Sequence, residues 1–303
     1  MKNKKVIAFI GAVFLLAACN KVKIAPVSEF DVSVNKTTCK VGDSVVFSFT
    51  GDPNNINFYS GEPTHIYAYR NRYAGASAVN NLTFTSNCTA TGQTGNLSVL
   101  ISTNFSGITD STNIRNASWT DITSRAVLSA NTTNTPSGTI NLSDFQTAAD
   151  SLFVAYRYTS TPSTSASRAR AWTVGSFVFT NVFPDGTSFT HNTVSTDARY
   201  GGFQAATLNY DSAKWAVGGS LTFPQGTIGQ TKGDEDWAVS KSFKLFKMAP
   251  DVSVNIKTIT QFVSNYVYKY TKAGVYTVVF VASNIDTNGS DSTTRTLTLT
   301  VTN

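Results

Sequence analysis

Acid–base catalysis or metal binding needs side chains that move protons or hold an ion, and this 303-residue chain is poor in them. Its two histidines stand far apart, at 65 and 191, and neither has a second ligand at metal-site spacing. Glu29, Glu62 and Glu235 are the only glutamates. A glycosidase needs two carboxylates facing one cleft, and no Asp or Glu pair stands out. Glu62, within FYSGEPTHIY, reads as a turn residue that accepts backbone N–H bonds rather than as an acid or base. The chain therefore reads as non-catalytic, with no metal and no cofactor. Binding chemistry is better represented. Sugar rings stack their C–H faces on Trp and Tyr, while Asp, Asn and Arg bond their hydroxyls. The stretch ARYGGFQAATLNYDSAKWAVGG mixes such groups without clear periodicity, so Arg199, Tyr200, Tyr210, Asp211 and Trp215 read as a loop-borne binding edge, with capping of a sheet edge as the alternative. Trp119, Trp172 and Trp237 lie in or beside alternating strands and read as core. A second cluster, Tyr67, Tyr69, Arg70 and Arg72, has the composition of an interdomain or partner contact.

The N-terminus bears a different chemistry. Lys2, Lys4 and Lys5 precede an apolar run from Val6 to Leu16 that is short for a membrane span, which is the layout of an export signal. It ends in Leu16-Ala17-Ala18-Cys19, which resembles the lipobox of bacterial lipoproteins. That resemblance implies cleavage after residue 18, acylation of Cys19 and a membrane attachment through its lipid, since each buried methylene adds about 0.8 kcal/mol. The expected location is the outer membrane, on its periplasmic face or at the cell surface. Surface lipoproteins of this group resemble one another in having acids soon after the lipidated cysteine; here Lys21 and Lys23 stand there instead.

Positioning any binding edge falls to β-strands. The chain is 41% hydrophobic and only 14% charged, rich in Thr, Ser, Asn and Gly, which suits strands and turns. Removing the three signal lysines takes half of the formal +6, and no basic run remains, so nucleic acid is not an expected partner. Alternation on both sides of the Gly42-Asp43 turn predicts strands near 30–34 and 44–50. Two strands do not make a stable domain, and the alternating YVYKYTKAGVYTVVFVASN and TRTLTLTVTN at the far end offer partners. Cys39 and Cys88 lie in strand-like sequence, where a bridge and two buried thiols are equally open.

VGDSVVFSF, YTKAGVYTVVFVASN and LTLTVT resemble the first and last strands of an immunoglobulin-like sandwich of the polycystic kidney disease (PKD) type. With FYSGEP, YRNR and KAGVYTV, nearly the whole mature chain resembles the Bacteroidetes lipoprotein family called domain of unknown function 5017. Between the halves, SWTDIT, SGTINLSDF, LFVAYRYTS and AWTVGSFVF resemble the jelly-roll, galactose-binding-like modules of exported proteins. The expected layout is a signal peptide over 1–18, a lipidated linker over 19–28, a split PKD-like sandwich over 29–73 plus 251–303, and an inserted jelly-roll-like domain over 74–250. Together these readings make an all-β envelope lipoprotein that binds a glycan through its inserted domain. The alternative is a structural or assembly subunit that docks onto other envelope proteins.

Overall fold

The computed structural model describes residues 26–27, 29–192, 197–210, 213–287 and 289–303, without the side chains of residues 200 and 286. Cys19 and Asp211 lie outside the described residues, as does the side chain of Tyr200. The protein is all-β, with several antiparallel sheets packed in sandwich-like layers.

The chain begins with β1 (Asp31–Val34), β2 (Thr38–Lys40), β3 (Val45–Thr50) and β4 (Asn55–Tyr59). It continues through β5 (Val79–Cys88), β6 (Leu97–Ser102), the short helix α1 (Ser111–Asn116), β7 (Thr120–Asp121), β8 (Thr135–Pro136) and β9 (Ile140–Asn141). Next come β10 (Ser151–Thr159), β11 (Trp172–Val182), β12 (Ser188–Thr190), β13 (Gln204–Asn209), β14 (Ala216–Val217), β15 (Leu221–Phe223), β16 (Glu235–Val239) and β17 (Phe243–Lys244). The last strands are β18 (Val254–Lys257), β19 (Asn265–Tyr268), β20 (Gly274–Asp286) and β21 (Gly289–Thr302). These form two compact units: the chain through Asn71 joins Pro250–Asn303, and Arg72–Ala249 makes the second.

In the first unit, a three-stranded sheet in the order β1-β3-β19 faces a five-stranded sheet in the order β18-β4-β20-β21-β2. β2 runs parallel to β21, whereas the long β20–β21 hairpin is antiparallel. Alternation puts Phe47 of one sheet and Phe58 and Phe280 of the other into a shared core, with Phe47 and Phe280 ring centroids 5.0 Å apart. Cys39 is a buried free thiol in this unit and Cys88 a buried free thiol in the other.

In the second unit, a sheet in the order β13-β16-β10-β6-β7, with β17 also on β10, packs against one in the order β14-β15-β11-β5-β8, with β9 on β5 and β12 on β11. β10 shows why: Leu152, Val154, Tyr156 and Tyr158 point into the core, and Phe153, Ala155 and Arg157 point outward. Tyr158 stacks on Phe223 of the opposing sheet at 3.8 Å.

β11 cannot keep one parity. Trp172 and Val174 are buried on even positions, then Phe177 and Phe179 on odd ones. A bulge between Gly175 and Val178 makes the change, with Ser176 held at φ 50°. Asn192 closes the irregular backbone, its amide donating to the Phe177 carbonyl and its oxygen accepting from the Phe179 N–H.

Candidate functional site

The bulge that preserves the core also shapes the outer face of the β11 sheet. Ser176 is pushed into solvent, and Gly175 beside it leaves room for the β14–β15 turn: a Cβ there would lie 2.9 Å from the Ser220 hydroxyl oxygen. Thr85 lies opposite Gly175 and Asn87 opposite Thr173, all on the outward side of β5 and β11. The Asn87 amide donates to Asn134 Oδ1 at 2.6 Å, which fixes its orientation. Together these residues line an open cleft of about 320 Å³ whose walls are hydroxyls and amides.

One carboxylate stands at its rim. Asp197 precedes a 3-10 turn over Ala198–Gly201 and accepts the Arg199 backbone N–H at 2.9 Å. The Arg199 guanidinium grips the same carboxylate, with Nη2 at 2.5 Å from Oδ2, and this pairing holds the Asp197 carboxyl below its usual range. The Ala198 N–H donates to the Gly219 carbonyl, which ties this turn to the β14–β15 hairpin. The cleft can donate and accept many neutral hydrogen bonds around one closed ion pair, which is the chemistry of polyol recognition.

The expected binding edge is not assembled as one surface. Arg199 is exposed beside the cleft, but Trp215 is only 3% exposed and faces the core. Its ring meets Phe223 edge-on at 5.4 Å, and its Nε1 donates to the Asp236 carbonyl at 3.3 Å. A stacking platform needs an open ring face, so Trp215 corrects the expectation: it is a core residue just before β14. The missing periodicity around it came from a two-stranded hairpin closed by Gly218 and Gly219, not from a loop. Tyr210 follows β13 of the other sheet at φ 57°, with the Lys232 ammonium 5.9 Å from its ring centroid. Thr85, Asn87 and Ser176 escaped sequence reading because Thr, Ser and Asn are abundant throughout; the Gly175-Ser176 step inside an apolar strand was the available signal.

Tyr67, Tyr69 and Arg70 belong to the first unit. The Arg70 guanidinium lies 3.9 Å over the Tyr67 ring and donates to the Tyr67 carbonyl at 3.0 Å, while Tyr67 meets Tyr59 edge-on. The Tyr69 carbonyl accepts the Asp251 N–H, and Tyr69 is 39% exposed. Arg72, in the second unit, reaches Asp185 at 3.6 Å. Glu62 accepts hydroxyls rather than the expected backbone N–H groups, from Tyr268 at 2.5 Å and Ser60 at 3.3 Å. Burial, together with this bond, pushes the Tyr268 phenol up to about 12. Among the described residues no three His, Cys, Asp or Glu side chains converge as a metal site would require.

Fold and cleft define the class: an all-β, sandwich-like protein of two units with a polar cleft on one sheet face. The model of the family described as Domain of unknown function (DUF5017) matches residues 18–199, more than half of the chain, and the chain belongs to that family. No curated protein and no solved structure matches it.

Proposed function

We propose that this chain is a cell-envelope lipoprotein, attached to the outer membrane through Cys19, that binds a glycan without catalysis through the polar cleft of its second unit. The observation that carries this reading is the cleft between β5, β11 and the β14–β15 turn, where Thr85, Asn87, Thr173, Ser176 and Ser220 present neutral hydroxyls and amides. Sugar hydroxyls pair with such groups without the cost of desolvating an unpaired charge. At the finer level, we read the first unit as a PKD-like sandwich and the second as a jelly roll. The parallel β2–β21 pairing and the return of the chain to its first sheets support the former, and the two opposed sheets of the insertion the latter.

The second reading, an assembly subunit for other envelope proteins, draws on a different place. Phe262, 79% exposed, and Ile259, 67% exposed, hold apolar side chains in water between β18 and β19.

Fractionation and ligand screening test both. Cys19→Ala should move the protein from the membrane fraction to the soluble one, and retention on membranes in high salt would defeat the anchor. The soluble mature chain should bind one or more neutral oligosaccharides of a glycan array. If no glycan binds and Phe262→Ser abolishes co-purification of an envelope protein, the assembly reading replaces the glycan reading.

A further inference from the structure

The opposite outer face of the second unit carries a different set of groups. The strands β6, β10, β16 and β13 alternate, so Ser98, Arg157, Trp237 and Ala206 stand side by side in register across the outside of the sheet. Trp237 is buried under Trp119, with ring centroids 5.1 Å apart, and Trp119 is half-buried. Its orientation is fixed, because its Nε1 donates to the Ile114 carbonyl of α1 at 2.9 Å.

Arg157 is the unusual member. The chain has nine arginines. Eight have a carboxylate or carbonyl partner, for instance Arg199 on Asp197 and Arg115 on the Leu208 carbonyl. Arg157 alone makes no side-chain hydrogen bond or ion pair among the described residues: its Nε is buried without a partner, and its guanidinium carbon lies 5.7 Å from the Trp237 ring centroid. Glu235, two residues along on the same face, is engaged by the Trp237 indole N–H at 3.1 Å instead. A guanidinium beside an indole, with no side-chain hydrogen bond or ion pair among the described residues, is a fork open to a planar anion. The half-buried Trp119 indole, packed on the same Trp237 ring that Arg157 approaches, offers an apolar surface to a pyranose ring.

We propose that this face is a second carbohydrate site, specific for a sugar that carries a carboxylate: Arg157 binds the carboxylate and Trp119 stacks on the ring. The proposal rests on the reading of this unit as a glycan binder, but it uses the opposite sheet from the polar cleft, so the two can fail separately. A carboxylate supplies a counter-charge for Arg157 and two coplanar oxygens that match the guanidinium fork, and titration with a sulfated sugar measures the selectivity against a tetrahedral anion.

The test is calorimetric titration of the mature full-length protein with trigalacturonate, with its methyl ester, with trimers of glucuronate and mannuronate, and with a sulfated trisaccharide. A uronate trimer should bind, and for trigalacturonate the methyl ester should bind at least tenfold more weakly. Arg157→Gln should lose at least tenfold, Arg157→Lys should lose less, and raised salt should weaken binding. Trp119→Phe should weaken binding in a fold that thermal melting shows intact. Asn87→Ala, in the polar cleft, should leave uronate affinity unchanged. The proposal is overturned if no uronate trimer binds, if acid and ester bind alike, if only the sulfated sugar binds, or if Arg157→Gln lowers the melting temperature without changing affinity. Binding of neutral glycans lost with Asn87→Ala but kept with Arg157→Gln would sustain the polar cleft on its own.

Discussion

The two outer faces of the second unit share one core and differ in how they treat charge. On the β11 sheet, Asp197 and Arg199 satisfy each other at the rim, and the cleft between the strands is neutral and hydroxyl-lined. On the β10 sheet, Arg157 has no carboxylate partner among the described residues and lies beside Trp237, on which Trp119 packs. A closed ion pair costs little to leave in water and attracts no ion, whereas an unpaired guanidinium on an aromatic shelf does. Sandwich packing sets neither pattern, because it constrains only every second residue of each strand. The outward residues are where one fold acquires different ligands.

This contrast depends on aromatic residues being divided between inside and outside, and the largest expected effect tests that division. Trp215→Ala should lower folding stability by about 3 to 5 kcal/mol, seen as a clear loss in urea midpoint, because it empties a core position. Trp119→Ala should cost less, since its ring is half-buried. Equal losses would remove the distinction between core and platform.

The core behind the polar face also has a pH signature. His191 sits among Phe179, Phe189 and Phe243, and burial, with Lys247 and Lys241 adding to it, lowers its pKa from 6.5 to about 4. Folding therefore favours the neutral ring. The associated stability is complete above about pH 6.5 and is lost as pH falls toward 4, an expected decline of about 2 kcal/mol after allowing for the solvent that reaches the ring. Urea unfolding at stepped pH should show this decline in the wild type and not in His191→Phe. An identical slope in both would place the proton uptake elsewhere.

A smaller effect probes the bulge. Ser176 occupies a left-handed backbone conformation that glycine adopts without strain, so Ser176→Gly should raise stability by about 0.5 to 1 kcal/mol while removing one cleft hydroxyl. A rise in melting temperature with weakened neutral-glycan binding would separate the bulge's structural role from its proposed binding role. A fall in stability would mean that the hydroxyl supports the bulge itself.

Much of the architecture was legible in alternation. The strands read at 30–34 and 44–50 are β1 and β3, and the far C-terminal alternation is β20 and β21, with Gly274 opening the first of them. The sequence around Cys39 reads as strand-like but shows no partner for β2, because its three residues pair only with the last three positions of β21, a contact no local pattern encodes. Trp215 was misplaced for a related reason: a two-residue strand is too short to display a period, so a core tryptophan looked like part of a loop. The cleft was illegible because it is made of common polar residues brought together by register across β5 and β11. Arg157 was hidden differently, since an arginine in a strand says nothing until its neighbours are placed and the nearby Glu235 carboxylate is found bonded to the Trp237 indole instead.

The most direct test of the account is the affinity of the mature protein for neutral oligosaccharides with and without Asn87, which lines the cleft and is bonded to Asn134 across it. Calorimetry on the wild type and Asn87→Ala, with matched thermal melts, is the measurement. A neutral glycan should bind the wild type, and its binding should fall about tenfold in the variant, roughly 1.4 kcal/mol, at an unchanged melting temperature. Binding that is indifferent to Asn87, or no binding of any neutral glycan by the wild type, would contradict it.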